Sequence, residues 1–187
     1  MSSVSYSSRV SIGKDERVYE FTDEALVWQD GDSPKKGLPF SKLISVNCSY
    51  EPNRVQANRY VIKLSTAKSS HIIASTSYVS LGNFEDRGES FRSFVMDLHR
   101  KIVEVNPAVV FKQGSSQAGY IFSIFVTVGL ICLFGGLALV TLLMGLVPIA
   151  ILKGAILLFM FPRLIRYVKK NKPGNYDPLN IPEDVLP

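Results

Sequence analysis

Apolar and polar residues follow three different rhythms along this chain. From Arg17 to about Thr76 the rhythm is short. Val18-Tyr19-Glu20-Phe21 and Ala25-Leu26-Val27-Trp28 flank the turn Thr22-Asp23-Glu24, and a dense turn signal runs from Gly31 to Gly37. Leu38-Pro39-Phe40 and Leu43-Ile44-Ser45-Val46 resume the apolar pattern. Tyr60 to Ser65 and His71 to Ser75 are two more strands around an Ala67–Ser70 loop. Strands at this spacing predict an antiparallel sheet or a partly closed barrel. Then the period lengthens. Between about Phe84 and Asn106, Phe91, Phe94, Val95, Leu98, Ile102 and Val105 fall on one helical face, and Pro107 stops the helix. Arg92, Asp97, Arg100, Lys101 and Glu104 mark the opposite face.

The third rhythm is unbroken apolarity. Residues Gln113 to Leu152 are 40 in a row without Asp, Glu, Lys, Arg or His. A membrane-crossing helix needs about 20 apolar residues, and Tyr120–Leu142 supplies 23. Val147–Val168 predicts a second span after a turn near Met144-Gly145-Leu146, with Pro148 in its first turn and Lys153 reaching for the interface. A helix lying along the membrane surface is the other arrangement the segment allows. Charge placement favours the hairpin. Arg163, Arg166, Lys169, Lys170 and Lys172 gather at its end, where the positive-inside rule places the cytoplasm. The Ser-rich start, Met1–Val10, lacks the apolar core of a signal peptide, so the N-terminal part belongs on that same side.

Charge is otherwise ordinary. Up to Lys112 there are 15 basic and 13 acidic residues, so the pI near 9.2 partly reflects the membrane flank and argues little for nucleic acid. Cys48 and Cys132 are far apart and fit no disulfide framework or metal spacing. His71 and His99 have no Cys or acidic partner at ligand spacing. No Gly-x-Ser-x-Gly elbow and no phosphate loop occurs; Gly135-Gly136 lies in the apolar run, where helix packing explains it. No catalytic residue, metal or cofactor is expected, and the chain is read as a non-enzyme. Lys153 has no acidic partner in the apolar run, which argues against an ion path.

Phe21-Thr22-Asp23-Glu24-Ala25-Leu26, then Leu38-Pro39-Phe40-Ser41-Lys42-Leu43-Ile44, then the Tyr60 strand, resemble the bacterial pleckstrin-homology-like (PH-like) domains that are often joined to membrane helices. Those carry a Thr-Asp-Glu-Gly-Leu opening, from which Ala25 departs, and an Ile-Pro-Tyr second strand. Gly82–Arg87 with Phe91, Phe94-Val95 and Leu98-His99 is similar to an uncharacterised proteobacterial branch. The resemblance covers roughly residues 15 to 112 and implies a fold, with no activity attached. The expected class is therefore α+β: a PH-like antiparallel barrel or sandwich capped by one C-terminal helix, followed by a transmembrane helical hairpin. Its expected divisions are a flexible N-terminus (1–14), the PH-like domain (15–112), the hairpin (118–168, with spans at about 120–142 and 147–168) and a Pro-rich tail (169–187). The resemblance implies a bacterial inner-membrane setting, and the charge placement with the missing signal peptide implies a multi-pass chain with both termini cytoplasmic.

Three features carry possible binding. Lipid-binding PH domains hold headgroup phosphates with basic residues in the loop matching Lys35 and Lys36; Arg54, Arg59, Lys63 and Lys68 are candidates beside them for lipid or partner contact. Lys63 shares its strand face with Val61 and Ser65 and should face solvent. In the tail, Tyr176, Leu179, Ile181, Val185 and Leu186 are more apolar than a solvating tail needs. They either pack across the chain's own domain or dock on a partner as an extended peptide. Small residues in both spans allow the two helices to pack together, or a further membrane protein to pack against them. Expected partners are the bilayer, anionic headgroups and a membrane-protein partner, with no nucleic acid. The alternative role is an accessory subunit of a larger membrane complex.

Overall fold

The computed structural model describes residues 5–53 and 55–187. It forms two units: the residues up to Gly114 together with Gly174–Pro187, and Ser115–Pro173.

The first unit begins with an antiparallel meander of β1 (Tyr6–Ser8), β2 (Arg17–Phe21), β3 (Ala25–Asp30) and β4 (Lys36–Pro39). Tyr19, Leu26 and Leu38 point inward from successive strands. Thr22 closes the β2–β3 turn by accepting the amides of Glu24 and Ala25 on its hydroxyl, an ST-turn. Gly31, after β3, sits at φ +50, and a Cβ there would come within 2.8 Å of the Asp15 carboxylate, so the turn tolerates glycine alone. A second meander follows: β5 (Leu43–Tyr50), β6 (Tyr60–Thr66) and β7 (Ser70–Ala74). Next come a separate hairpin, β8 (Thr76–Ser80) and β9 (Asn83–Asp86), helix α1 (Gly88–Val105) and strand β10 (Val110–Gln113).

Helix α1 buries Phe91, Phe94, Val95, Leu98, His99 and Ile102, so five of the six periodic apolar positions face the core. Val105, the sixth, is half exposed at the helix end. Each large side chain so buried contributes roughly 1.5–3 kcal/mol. Tyr6 meets Phe91 and Phe94 at 5.6 Å between ring centres and donates its hydroxyl to the Ala74 carbonyl at 2.6 Å, tying β1 of one sheet to β7 of the other. Asn106 ends the helix and donates to the Phe40 and Leu43 carbonyls, fixing the helix to the start of β5.

Four expectations are corrected. Residues 6–8 of the segment read as a flexible N-terminus form a paired strand, because Tyr6 has a core site to fill. The helix begins at Gly88 and not near Phe84, since Asn83–Asp86 pair with β8 around Gly82, which adopts φ +75. Val61, placed with Lys63 on an outer face, is buried, because Cys48–Tyr50 and Tyr60–Ile62 are covered on both faces. The strands are also not all antiparallel. The crossover through α1 returns β10 parallel to β5.

The sheet then gains a strand from the far end of the chain: β11 (Gly174–Asn175) pairs antiparallel with β10. Between these two hydrogen-bonded neighbours lies the whole second unit. Helix α2 (Gln117–Leu143) and helix α3 (Val147–Lys170) have 27 and 24 residues, about 40 and 36 Å at 1.5 Å per residue. Both are long and apolar enough to cross a membrane. Ser116 caps α2 by accepting the Gly119 amide. Pro148 sits in the first turn of α3, where no amide is needed. Ser115 donates its amide and hydroxyl to the Asn171 carbonyl, closing the open end of an antiparallel hairpin whose turn is Met144–Leu146. Gly135 brings α2 close to Leu157 of α3. The hydroxyls of Ser123 and Thr141 bond back to carbonyls of their own helix. Phe122, Phe125, Leu158 and Phe159 project outward, a surface that water disfavours.

Candidate functional site

A cleft of about 730 Å³ opens between the first sheet and β7. Its basic residues come from three short stretches. The β1–β2 loop supplies Arg9 and Lys14, the start of β2 supplies Arg17, and the β5–β6 loop supplies Gln56 and Arg59. Arg17 is ion-paired with Asp30, and Arg59 with Glu51 at 3.2 Å. Arg9 is held differently. Its guanidinium donates to the carbonyls of Lys14 (2.7 Å) and Ile12 (3.0 Å) and lies over the Tyr78 ring. Backbone carbonyls orient the Arg9 guanidinium, and Arg9 and Lys14 share the cleft lining with Asp15, so these three leave one net positive charge there.

His71 forms part of the cleft wall from β7. Its ring stacks on Trp28 at 4.1 Å and meets the edge of Tyr19 at 5.7 Å, and Nε2 is buried with no hydrogen-bond partner among the described residues. Burial, then the Arg17 charge, lowers its pKa to about 4, with Asp30 opposing. The imidazole is neutral at pH 7. Asp30 is engaged by Arg17 and Lys36, so no carboxylate–histidine pair with acid–base geometry forms here.

Of the residues expected to bind, Arg59 lines the cleft. Lys36 borders it indirectly through Asp30, at 3.2 Å. Lys35 pairs with Glu20 at 3.5 Å, Lys63 projects from β6, and Lys68 lies in the β6–β7 turn; none of these three lines the cleft. Arg54 falls outside the described residues. Sequence reasoning missed Arg9, Lys14, Arg17 and His71. The first two sit in a stretch whose polar composition signals flexibility, and only the pairing of β1 brings them to the sheet.

The tail joins a second, interior constellation. Tyr176, just after β11, places its hydroxyl 2.7 Å from His99 Nε2 and 3.2 Å from Cys48 Sγ. His99 Nδ1 lies 2.7 Å from the Val95 carbonyl, which only accepts, so the single proton of the neutral ring sits on Nδ1. Nε2 therefore accepts the Tyr176 proton, and the Cys48 thiol is left to donate to the phenol oxygen. Burial lowers the His99 pKa to about 4 and pushes Cys48 up to about 12, so both groups stay uncharged. Farther on, Val185 and Leu186 are buried, and Arg92 donates to the Pro187 carbonyl at 3.1 Å. Ile181 is half-buried and Leu179 is exposed beside a small cavity of about 240 Å³ against α1. Between the two placements left open for the tail, the structure shows it packed on its own domain through Tyr176, Val185 and Leu186.

Among the described residues no three His, Cys, Asp or Glu side chains group as a metal site. No family model, curated protein or solved structure matches the chain at a significant level.

Proposed function

We propose that the chain is a membrane-anchored, PH-like, non-enzymatic binding module, which holds its basic cleft beside a bilayer to engage the phosphates of anionic headgroups. The observation that carries this reading is the insertion of an apolar helical hairpin between two paired strands of the domain that bears the cleft. The pairing of β10 with β11 in one sheet supports a chain that leaves and re-enters the domain on one side of the membrane, and with it an even number of crossings. The pairing of α2 with α3 favours two spans over a helix on the surface, and the cluster Arg163–Lys172 favours a cytoplasmic domain in a bacterial inner membrane. PH-like architecture is supported by the two successive antiparallel meanders and the single helix against them. The β8–β9 hairpin and the parallel β10 are additions to that plan.

Near an anionic surface each basic residue contributes about 1 kcal/mol. The test uses the full chain in nanodiscs of phosphatidylcholine with or without phosphatidylglycerol. Hydrogen exchange across residues 70–76 should slow in the anionic discs, and Lys14→Glu/Arg59→Glu should abolish the difference. Equal exchange in both lipids would refute headgroup binding.

A role as an accessory subunit is favoured by one observation. Gly129, Gly136 and Gly154 leave open space on the hairpin surface, into which another helix could pack. Stoichiometric partners after purification in mild detergent would support it, and a lone monomer would not.

A further inference from the structure

Helix α3 carries two arginines at and inside the edge of its apolar stretch. The hairpin closes at its polar end, where Ser115 donates to the Asn171 carbonyl. At 1.5 Å per residue along α3, Arg166 lies about 7.5 Å and Arg163 about 12 Å from that closure. Five residues from Ser115 along α2 stands Tyr120, where the long apolar run begins. Arg166 is thus level with the edge of the apolar layer, and Arg163 is about one turn inside it. Side chains on a helix lean toward its N-terminus. For Lys153 that lean leads outward, toward the Met144–Leu146 turn. For Arg163 it leads inward, and the guanidinium lies over the Phe159 ring at 4.5 Å.

Phe159, Arg163 and Arg166 recur at intervals of four and three, share one face of α3, and are all exposed. Leu157, which meets Gly135 of α2, and the half-buried Met160 and Leu164 mark the opposite face. No Asp or Glu occurs between Glu104 and Asp177, so neither helix offers the arginines a carboxylate. Among the described residues no carboxylate from elsewhere pairs with them either. A charge at this depth needs a counter-charge or a path to water.

We infer that the outward face of α3 at Arg163 and Arg166 is a binding site for one anionic phospholipid, whose phosphate both guanidiniums hold and whose acyl chain lies along Phe159. The site rests on the two-span reading above and is independent of the cleft. Arginine forks match phosphate oxygens in pairs, and the i,i+3 spacing sets the two side chains within about 6 Å, close enough to share one phosphate. Phosphate is also the anion that any bilayer supplies at this level, beside the polar end of the hairpin. Lys169 and Lys172 follow within two turns. They disfavour the ammonium of a zwitterionic headgroup and select a lipid of net negative charge.

The full chain, purified in dodecyl maltoside, is titrated with phosphatidylglycerol or with phosphatidylcholine of the same acyl chains, and bound lipid is read by native mass spectrometry. Phosphatidylglycerol should bind several-fold more tightly, and each arginine removed in Arg163→Gln/Arg166→Gln should weaken it by about fivefold. Both positions are exposed, so the variant should fold. Lys169→Gln/Lys172→Gln removes the same charge and should leave most of the preference. Equal binding of the two lipids would overturn the site, and so would equal losses in the two double variants, which would mean diffuse attraction. A preference lost in Lys14→Glu/Arg59→Glu and kept in Arg163→Gln/Arg166→Gln would place the lipid in the cleft, overturning this inference and leaving headgroup binding standing. A stoichiometric protein partner released by Arg163→Gln/Arg166→Gln would assign the arginines to a carboxylate of another membrane protein, and would equally overturn it. Failure of the two-span reading would show separately, as access to the Met144–Leu146 turn from the cytoplasmic face, and would remove the site with it.

Discussion

At the residue scale the most consequential group is the Tyr176 hydroxyl. It satisfies His99 Nε2 in a site where the ring is fully buried, and a buried acceptor stripped of its donor costs about 1–3 kcal/mol. Tyr176→Phe should therefore lower the thermal midpoint of the domain by several degrees, as read by near-ultraviolet circular dichroism of the full chain in detergent. An unchanged midpoint would mean that this hydrogen bond contributes nothing. The same site predicts acid sensitivity. His99 titrates near 6.5 when unfolded and near 4 when folded, so between those values the unfolded chain binds the extra proton. Stability is complete above about pH 6.5 and falls as pH drops toward 4, by on the order of 3 kcal/mol from His99, with His71 adding in the same direction. Denaturant midpoints measured across that range check the sign. His99 was legible as a residue of the expected helix. Its partner was not, since 77 residues separate them and nothing local in the sequence joins the two.

At the element scale, periodicity served where one face of an element meets the core and misled where neighbours cover both. Helix α1 follows its apolar stripe from Phe91 to Ile102. The β8–β9 hairpin escaped because Phe84 fits a helical stripe as well as a strand, and only the backbone at Gly82 separates the two. Strand β11 has two residues, too few for any pattern, and gains its place from a ready edge on β10. The tail is consequently a structural element of the domain. Val185 and Leu186 are 1% and 3% exposed, so Val185→Asp/Leu186→Asp should cost at least about 3 kcal/mol by putting charges in an apolar site. The full chain should then become protease-sensitive within residues 1–114. If digestion is unaffected, the tail is dispensable. Basic residues were legible as a class, yet the cleft recruits Arg9, Lys14 and Arg17 through the pairing of β1 and leaves Lys35, Lys63 and Lys68 outside.

At the scale of the whole molecule, a domain completed by strands on both sides of an apolar hairpin ties the two ends of that hairpin to the folding of the domain. The hairpin's length was readable from apolarity alone, and its helices run 117–143 and 147–170 against expected spans of 120–142 and 147–168. What apolarity could not convey is that its two flanks meet again in one sheet, because that pairing is carried by backbone atoms of Lys112, Gln113, Gly174 and Asn175. The central claim, a hairpin crossing a membrane with domain and tail on one face, has a direct measurement. In the Cys132→Ser background, Gly13→Cys, Asn180→Cys and Leu146→Cys are reacted with a membrane-impermeant maleimide in sealed vesicles of known orientation. The account predicts that Gly13→Cys and Asn180→Cys label together from the cytoplasmic face and that Leu146→Cys labels from the opposite face. Labelling of Leu146→Cys from the same face as the other two would contradict it.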